Sequence, residues 1–232
     1  LPKYYKEYKW PENCFASNDC DCDKSDCNEC DSKININEIS IAKINDIINE
    51  FSKLSFLEKD NLLKIAEWGK LPNKKNIAII DTEDNKLDLE NFKIIPCTIE
   101  KIQFLRQHIK GFGPTYISKL ARFIEPDIFA AWDTRIVRVF NENSEYGDCF
   151  KWLKIKAVEC DKKRWKIEDN NSSWISIYME WLSILEYINK YLIKMGIQKP
   201  IIYSANTSWK ISDIEMALFV VATKKINGES IS

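Results

Sequence analysis

The chain has 232 residues, is 45% hydrophobic and carries a net charge of -1, enough apolar material for a full core in one domain or two tightly joined lobes. No apolar run approaches about 18 residues and no signal-peptide pattern opens the chain, which argues against a membrane span and for a cytoplasmic protein. One histidine, His108, excludes a histidine-rich metal site and reads as an exposed helix residue.

Residues 1–33 read as an acidic, cysteine-rich arm ahead of a helical domain over 34–232. The arm holds Cys14, Cys20, Cys22, Cys27 and Cys30. The pairs Cys20-x-Cys22 and Cys27-x-x-Cys30 offer four thiolates for a structural zinc at about 2.3 Å, although the gap between the pairs is short for such a site. Asp19, Asp21 and Asp23 are spaced as in a calcium loop, but Lys24 stands where the turn glycine belongs and Cys30 where the closing glutamate belongs. A thiol-rich tail or local disulfides are the alternatives, the latter disfavoured in a reducing compartment.

Next, Ser55 and Glu58 form a capping box before Leu62, Leu63 and Ala66, and Gly69 with Pro72 ends that helix. Ile77–Ile80 reads as one short strand. Ile99, Ile102, Leu105 and Ile109 then recur at helical spacing. Gly111 and Gly113 permit the positive φ that stops a helix, and Pro114 suits the first turn of another that carries Ile117, Leu120 and Ala121. The free N–H groups of that first turn make a small anion site suited to a DNA phosphate. Beyond Pro126 and the apolar stretch to Trp132, Asp133 is the natural N-cap of a helix over Thr134–Phe140.

The net charge is low for a nucleic-acid binder, but its distribution is uneven. Residues 101–138 carry seven basic against three acidic residues and four of the five arginines of the chain. Lys151–Asn171 is mixed and charged, with Trp152 and Trp165 as packing residues. Trp174 to Met195 places Trp174, Ile177, Tyr178, Trp181, Leu185, Ile188 and Leu192 on one helical stripe, stopped by Gly196. Near the end, Ser212 and Glu215 form a second capping box before Met216, Leu218 and Phe219.

The hairpin Lys110–Pro114, the spacer and the segment Asp133-Thr-Arg-Ile-Val-Arg-Val resemble, in order and spacing, the helix-hairpin-helix DNA glycosylases. Trp209–Phe219 is similar to the closing helix of stand-alone bacterial proteins related to 8-oxoguanine glycosylases. The resemblance implies an all-α fold of the helix-hairpin-helix glycosylase type, with the motif at 99–123. It makes Asp133 the catalytic carboxylate, because breaking an N-glycosidic bond develops positive charge on the deoxyribose that a nearby anion stabilises. It places the DNA backbone on Lys110, Gly111, Phe112, Gly113, Thr115, Lys119 and Arg135. It puts a flipped base among Trp132, Trp209, Phe219 and Glu215, although Glu215 reads more readily as a helix cap.

Bifunctional members place a Schiff-base lysine two residues after the second hairpin glycine, and this chain has Thr115 there. Lys119 lies a helical turn further on, along a different direction. The implied enzyme is monofunctional: it flips a damaged or modified base out of duplex DNA, hydrolyses its glycosidic bond, leaves an abasic site, needs no cofactor and acts as a monomer. Its substrate is oxidised guanine in host DNA or a modified base in invading DNA. The alternative is a non-catalytic hairpin module that holds DNA while Asp133 merely caps a helix.

Overall fold

The computed structural model describes residues 1–8, 36–71, 73–146, 151–160, 164–168, 174–201 and 207–231. Helices dominate: α1 (Pro2–Lys6), α2 (Ile36–Phe51), α3 (Lys59–Trp68), α4 (Leu89–Ile94), α5 (Thr98–His108), α6 (Pro114–Ile124), α7 (Thr134–Phe140), α8 (Trp174–Lys194) and α9 (Ile211–Ile226). Between them run β1 (Phe56–Leu57), β2 (Ala78–Ile79), β3 (Leu87–Asp88), β4 (Ile109–Lys110), β5 (Ala157–Cys160) and β6 (Arg164–Ile167). The strands form three antiparallel pairs, β1 with β3, β2 with β4 and β5 with β6. Among the described residues no helix is long and apolar enough to cross a membrane.

Two helices form the centre. In α6 every residue from Ile117 to Ile124 is buried, and in α9 every residue from Ile211 to Ala222. A helix buried on all sides needs neighbours on all sides. α2, α3 and α5 pack on α6, while α1, α7 and α8 pack on α9. The stripe expected over 174–195 forms α8, which buries Trp174, Tyr178, Trp181, Leu185 and Leu192, and Gly196 takes the left-handed φ of +66° that ends it. The strand expected at 77–80 is β2.

Several local expectations change. The first eight residues are packed: Tyr4, Tyr5 and Tyr8 are buried, with Tyr5 edge-on to Trp209 at 5.6 Å and Tyr8 against Phe219 at 5.7 Å. Cys20, Cys22, Cys27 and Cys30, and with them the zinc reading, lie outside the described residues. The cap of α3 is Glu58 rather than Ser55, its N–H bonded to Asn61 Oδ1 at 2.9 Å. In α9 the cap is Lys210, whose N–H donates to Asp213 Oδ2 at 3.0 Å. Ser212 is therefore inside the first turn, and Glu215 is released from capping and points into the core. Lys151–Asn171, read only as mixed, contains the β5–β6 pair. Its Trp165 lies under the Arg138 guanidinium at 4.0 Å, and Trp152 stacks on Phe140 at 5.2 Å.

Candidate functional site

The turn between α5 and α6 depends on one glycine. Gly111 has φ +87°, and a Cβ there would lie 2.7 Å from the backbone oxygen of Asn76. Its close approach is thus to the strand pair β2–β4. Gly113 is different: it is extended (φ -86°, ψ -174°) and has nothing within 4 Å of a would-be Cβ. Its backbone opens on space, with Pro114 at the first helical position beside it. Lys110 and Gly111 are exposed and Thr115 is half-buried. Phe112, expected at the DNA backbone, is buried and packs on Tyr116 at 5.4 Å, because an aromatic ring at this corner has a core to enter.

From the turn, α6 runs inward. Its hydroxyl Ser118 donates to Thr115 O at 3.0 Å and accepts the Trp132 N–H at 2.8 Å. That second bond is one of four that fix residues 130–133, a stretch without regular structure whose backbone polar groups need partners. Tyr178 Oη donates to Ala130 O at 2.7 Å, Ala131 N–H bonds to the Glu215 carboxylate, and Arg135 N–H donates to Asp133 Oδ1 at 3.0 Å. Helices α6, α7, α8 and α9 each supply one of these bonds. Asp133 is held as the N-cap the sequence suggests.

Lys119 departs most from expectation. Read as a phosphate contact pointing elsewhere, it is only 3% exposed, and its Nζ lies 3.4 Å from Asp133 Oδ2. The ammonium sits over the rings of Trp68 at 5.3 Å and Tyr116 at 5.2 Å. Tyr116 Oη donates to Gly69 O at 2.6 Å, which fixes that ring. A buried ammonium needs an anion, and the cap carboxylate, itself 8% exposed, is the partner α7 presents. Burial first, and then the Asp133 charge, raise the Tyr116 phenol above its ordinary value.

Behind this pair lies a second. Arg122 is fully buried, with Nε 3.3 Å from Glu215 Oε2, and joins α6 to α9. The two meet as charges without hydrogen-bond alignment, so all three guanidinium nitrogens lack a hydrogen-bond partner among the described residues. Burial pushes the Glu215 carboxyl up to about 7. Arg122 pulls it back, the Asp133 charge adds to the rise, and Lys119 and the Ala131 N–H oppose it. The Tyr8 phenol, raised chiefly by burial, feels Arg122, Glu215, Asp133 and Arg135 together.

The residues expected around a flipped base are divided among core contacts. Trp132 is fully buried against Tyr178 at 5.6 Å. The Trp209 indole donates to Ile197 O at 2.9 Å, beside the Lys199–Asp213 ion pair at 3.0 Å. Phe219 packs between Tyr8 and the Arg135 guanidinium, which lies 5.1 Å from its ring. Arg135 also reaches Thr223 Oγ1 at 3.2 Å, so it is tied to α9 rather than extended to solvent. Sequence reasoning missed Trp68, Tyr116 and Arg122. The signal was present: Tyr116, Lys119 and Arg122 recur at i, i+3 and i+6, a polar stripe beside the apolar one of α6.

No known protein-family model, curated protein or solved structure matches this chain.

Proposed function

We propose that the chain is a DNA N-glycosylase of the helix-hairpin-helix type in which Asp133 is the catalytic carboxylate. One observation carries the reading: α6 begins at an open glycine turn and carries Lys119, whose Nζ lies 3.4 Å from Asp133 Oδ2. Through Lys119, α6 thereby links a turn able to receive a phosphate to a carboxylate at the start of α7 able to meet a sugar cation. In the water-using route Asp133 stabilises positive charge at C1′ as the base departs, or orients the attacking water. An abasic site remains.

The Lys119 distance favours a second route. Asp133 takes a proton from the Lys119 ammonium and the amine attacks C1′; the C1′–N bond to the base breaks, and the base leaves with that electron pair and takes a proton from Nζ. The C1′–O4′ bond then opens as the nitrogen lone pair forms C=N, O4′ takes the second proton, and the open-chain sugar stays on Nζ as an imine. Thr115, the residue at the position expected for an amine, can form no imine, whereas Lys119 enters the site from one turn along the same helix. A duplex panel, each member bearing one oxidised or otherwise modified base, tests the function through released base. Borohydride separates the routes. An adduct lost in Lys119→Met assigns the amine; intact strands without adduct assign water. Release by no member, with duplex binding retained, returns the chain to a non-catalytic hairpin module in which Asp133 is a cap.

A further inference from the structure

The hairpin is fastened to the segment that follows α3 at two points, both made by glycines. A Cβ at Gly69 would lie 2.6 Å from Tyr116 Cε1, and one at Gly111 would lie 2.7 Å from Asn76 O. The Tyr116 hydroxyl bond to Gly69 O and the β2–β4 register, with Ala78 opposite Lys110 and Ile79 opposite Ile109, add hydrogen bonds to each contact. The Ile80 N–H also bonds to His108 O at 2.8 Å. Residues 69–71 and 73–76 are therefore tied to residues 110–116 along one edge.

That edge is basic. Lys70 takes the left-handed conformation (φ +57°) just beyond α3 and is exposed, as are Lys75 and Lys110. Residues 73–77 are shaped locally: Lys75 N–H bonds to Asn73 Oδ1 at 3.1 Å, and Ile77 N–H to Lys74 O at 3.2 Å. Lys74 is paired with Glu67 at 3.0 Å. We propose that this edge binds the sugar-phosphate backbone of duplex DNA, with Lys70 and Lys75 as phosphate contacts beside Lys110 and the open turn at Gly113. The inference rests on the DNA reading above and adds to it a strip of backbone contact outside the hairpin. Lysines on such a strip supply affinity and register without reading sequence.

The test is the salt dependence of binding to an undamaged duplex, measured by fluorescence anisotropy from 50 to 200 mM salt. Wild type is compared with Lys70→Asn/Lys75→Ala, in which asparagine tolerates the left-handed φ. A control, Lys190→Ala/Lys194→Ala, changes two exposed positions on α8. Each lost phosphate contact lowers the slope of log K against log salt by about 1, so the first variant should lose about 2 and the control none. An unchanged slope in a folded variant that still binds DNA overturns the proposal and leaves the DNA reading intact. Absence of binding by wild type at 50 mM salt removes the DNA reading itself. Phosphatidylserine vesicles form a further arm: vesicle binding abolished by the double substitution, with the DNA slope unmoved, makes the edge a lipid surface and also overturns the proposal.

Discussion

Arg122→Met tests the electrostatics beneath the site. Methionine keeps much of the unbranched stem and removes the guanidinium that faces Glu215 at 3.3 Å. In the wild-type protein the Glu215 carboxyl is raised from 4.5 to about 7. A carboxyl raised in the folded state contributes stability that is fully present below its unfolded value and is lost as pH rises through its folded value. Above about pH 7 the wild-type loss from this group levels off, because Arg122 tolerates the charged form. Without Arg122 the carboxyl stays protonated to higher pH and the loss continues. The gap between the two proteins therefore opens as pH rises through about 7 and widens by about 1 kcal/mol per further pH unit while the variant's carboxyl stays protonated, on top of a pH-independent packing change. Urea denaturation at those pH values and at pH 6 reads this directly. In Arg122→Met/Glu215→Gln the extra pH dependence should vanish. Stability curves of wild type and Arg122→Met that run parallel from pH 6 to 9 would refute the account of Glu215.

On the proposed mechanism Asp133→Asn should abolish base release while DNA affinity stays within about a few-fold; asparagine still caps α7, but the buried Lys119 ammonium loses its anion, so stability should fall as well, and release assays, anisotropy and urea denaturation on one preparation check all three. Lys119→Met should lower stability by about 3 kcal/mol, because it strands the Asp133 carboxylate in a largely buried position, and denaturant titration measures it. The two hairpin glycines should separate. Gly111→Ala places a Cβ 2.7 Å from Asn76 O at a positive φ and should cost about 1–3 kcal/mol in unfolding free energy or more. Gly113→Ala meets open space, should leave the melting temperature nearly unchanged, and should weaken binding to damaged and undamaged duplexes alike.

Features that depend on a few consecutive residues were legible in the sequence. The apolar stripe of α8 and its Gly196 stop, the short strand at β2, the glycine turn into Pro114 and the Asp133 cap all follow from periodicity, φ preference and hydrogen bonding within about four residues. The capping boxes slipped because several polar residues near a helix start compete for the same free N–H groups, and packing chooses among them. At α9 that choice freed Glu215 for the core and gave the cap to Lys210 and Asp213. Nothing local marks Lys119 as the partner of Asp133, or Arg122 as the partner of Glu215 across 93 positions of sequence. A buried charge is tolerated only where an opposite charge meets it within a few ångströms. Which one meets it is decided when α6, the cap of α7 and α9 are brought together, a property of the tertiary structure that no window of sequence contains.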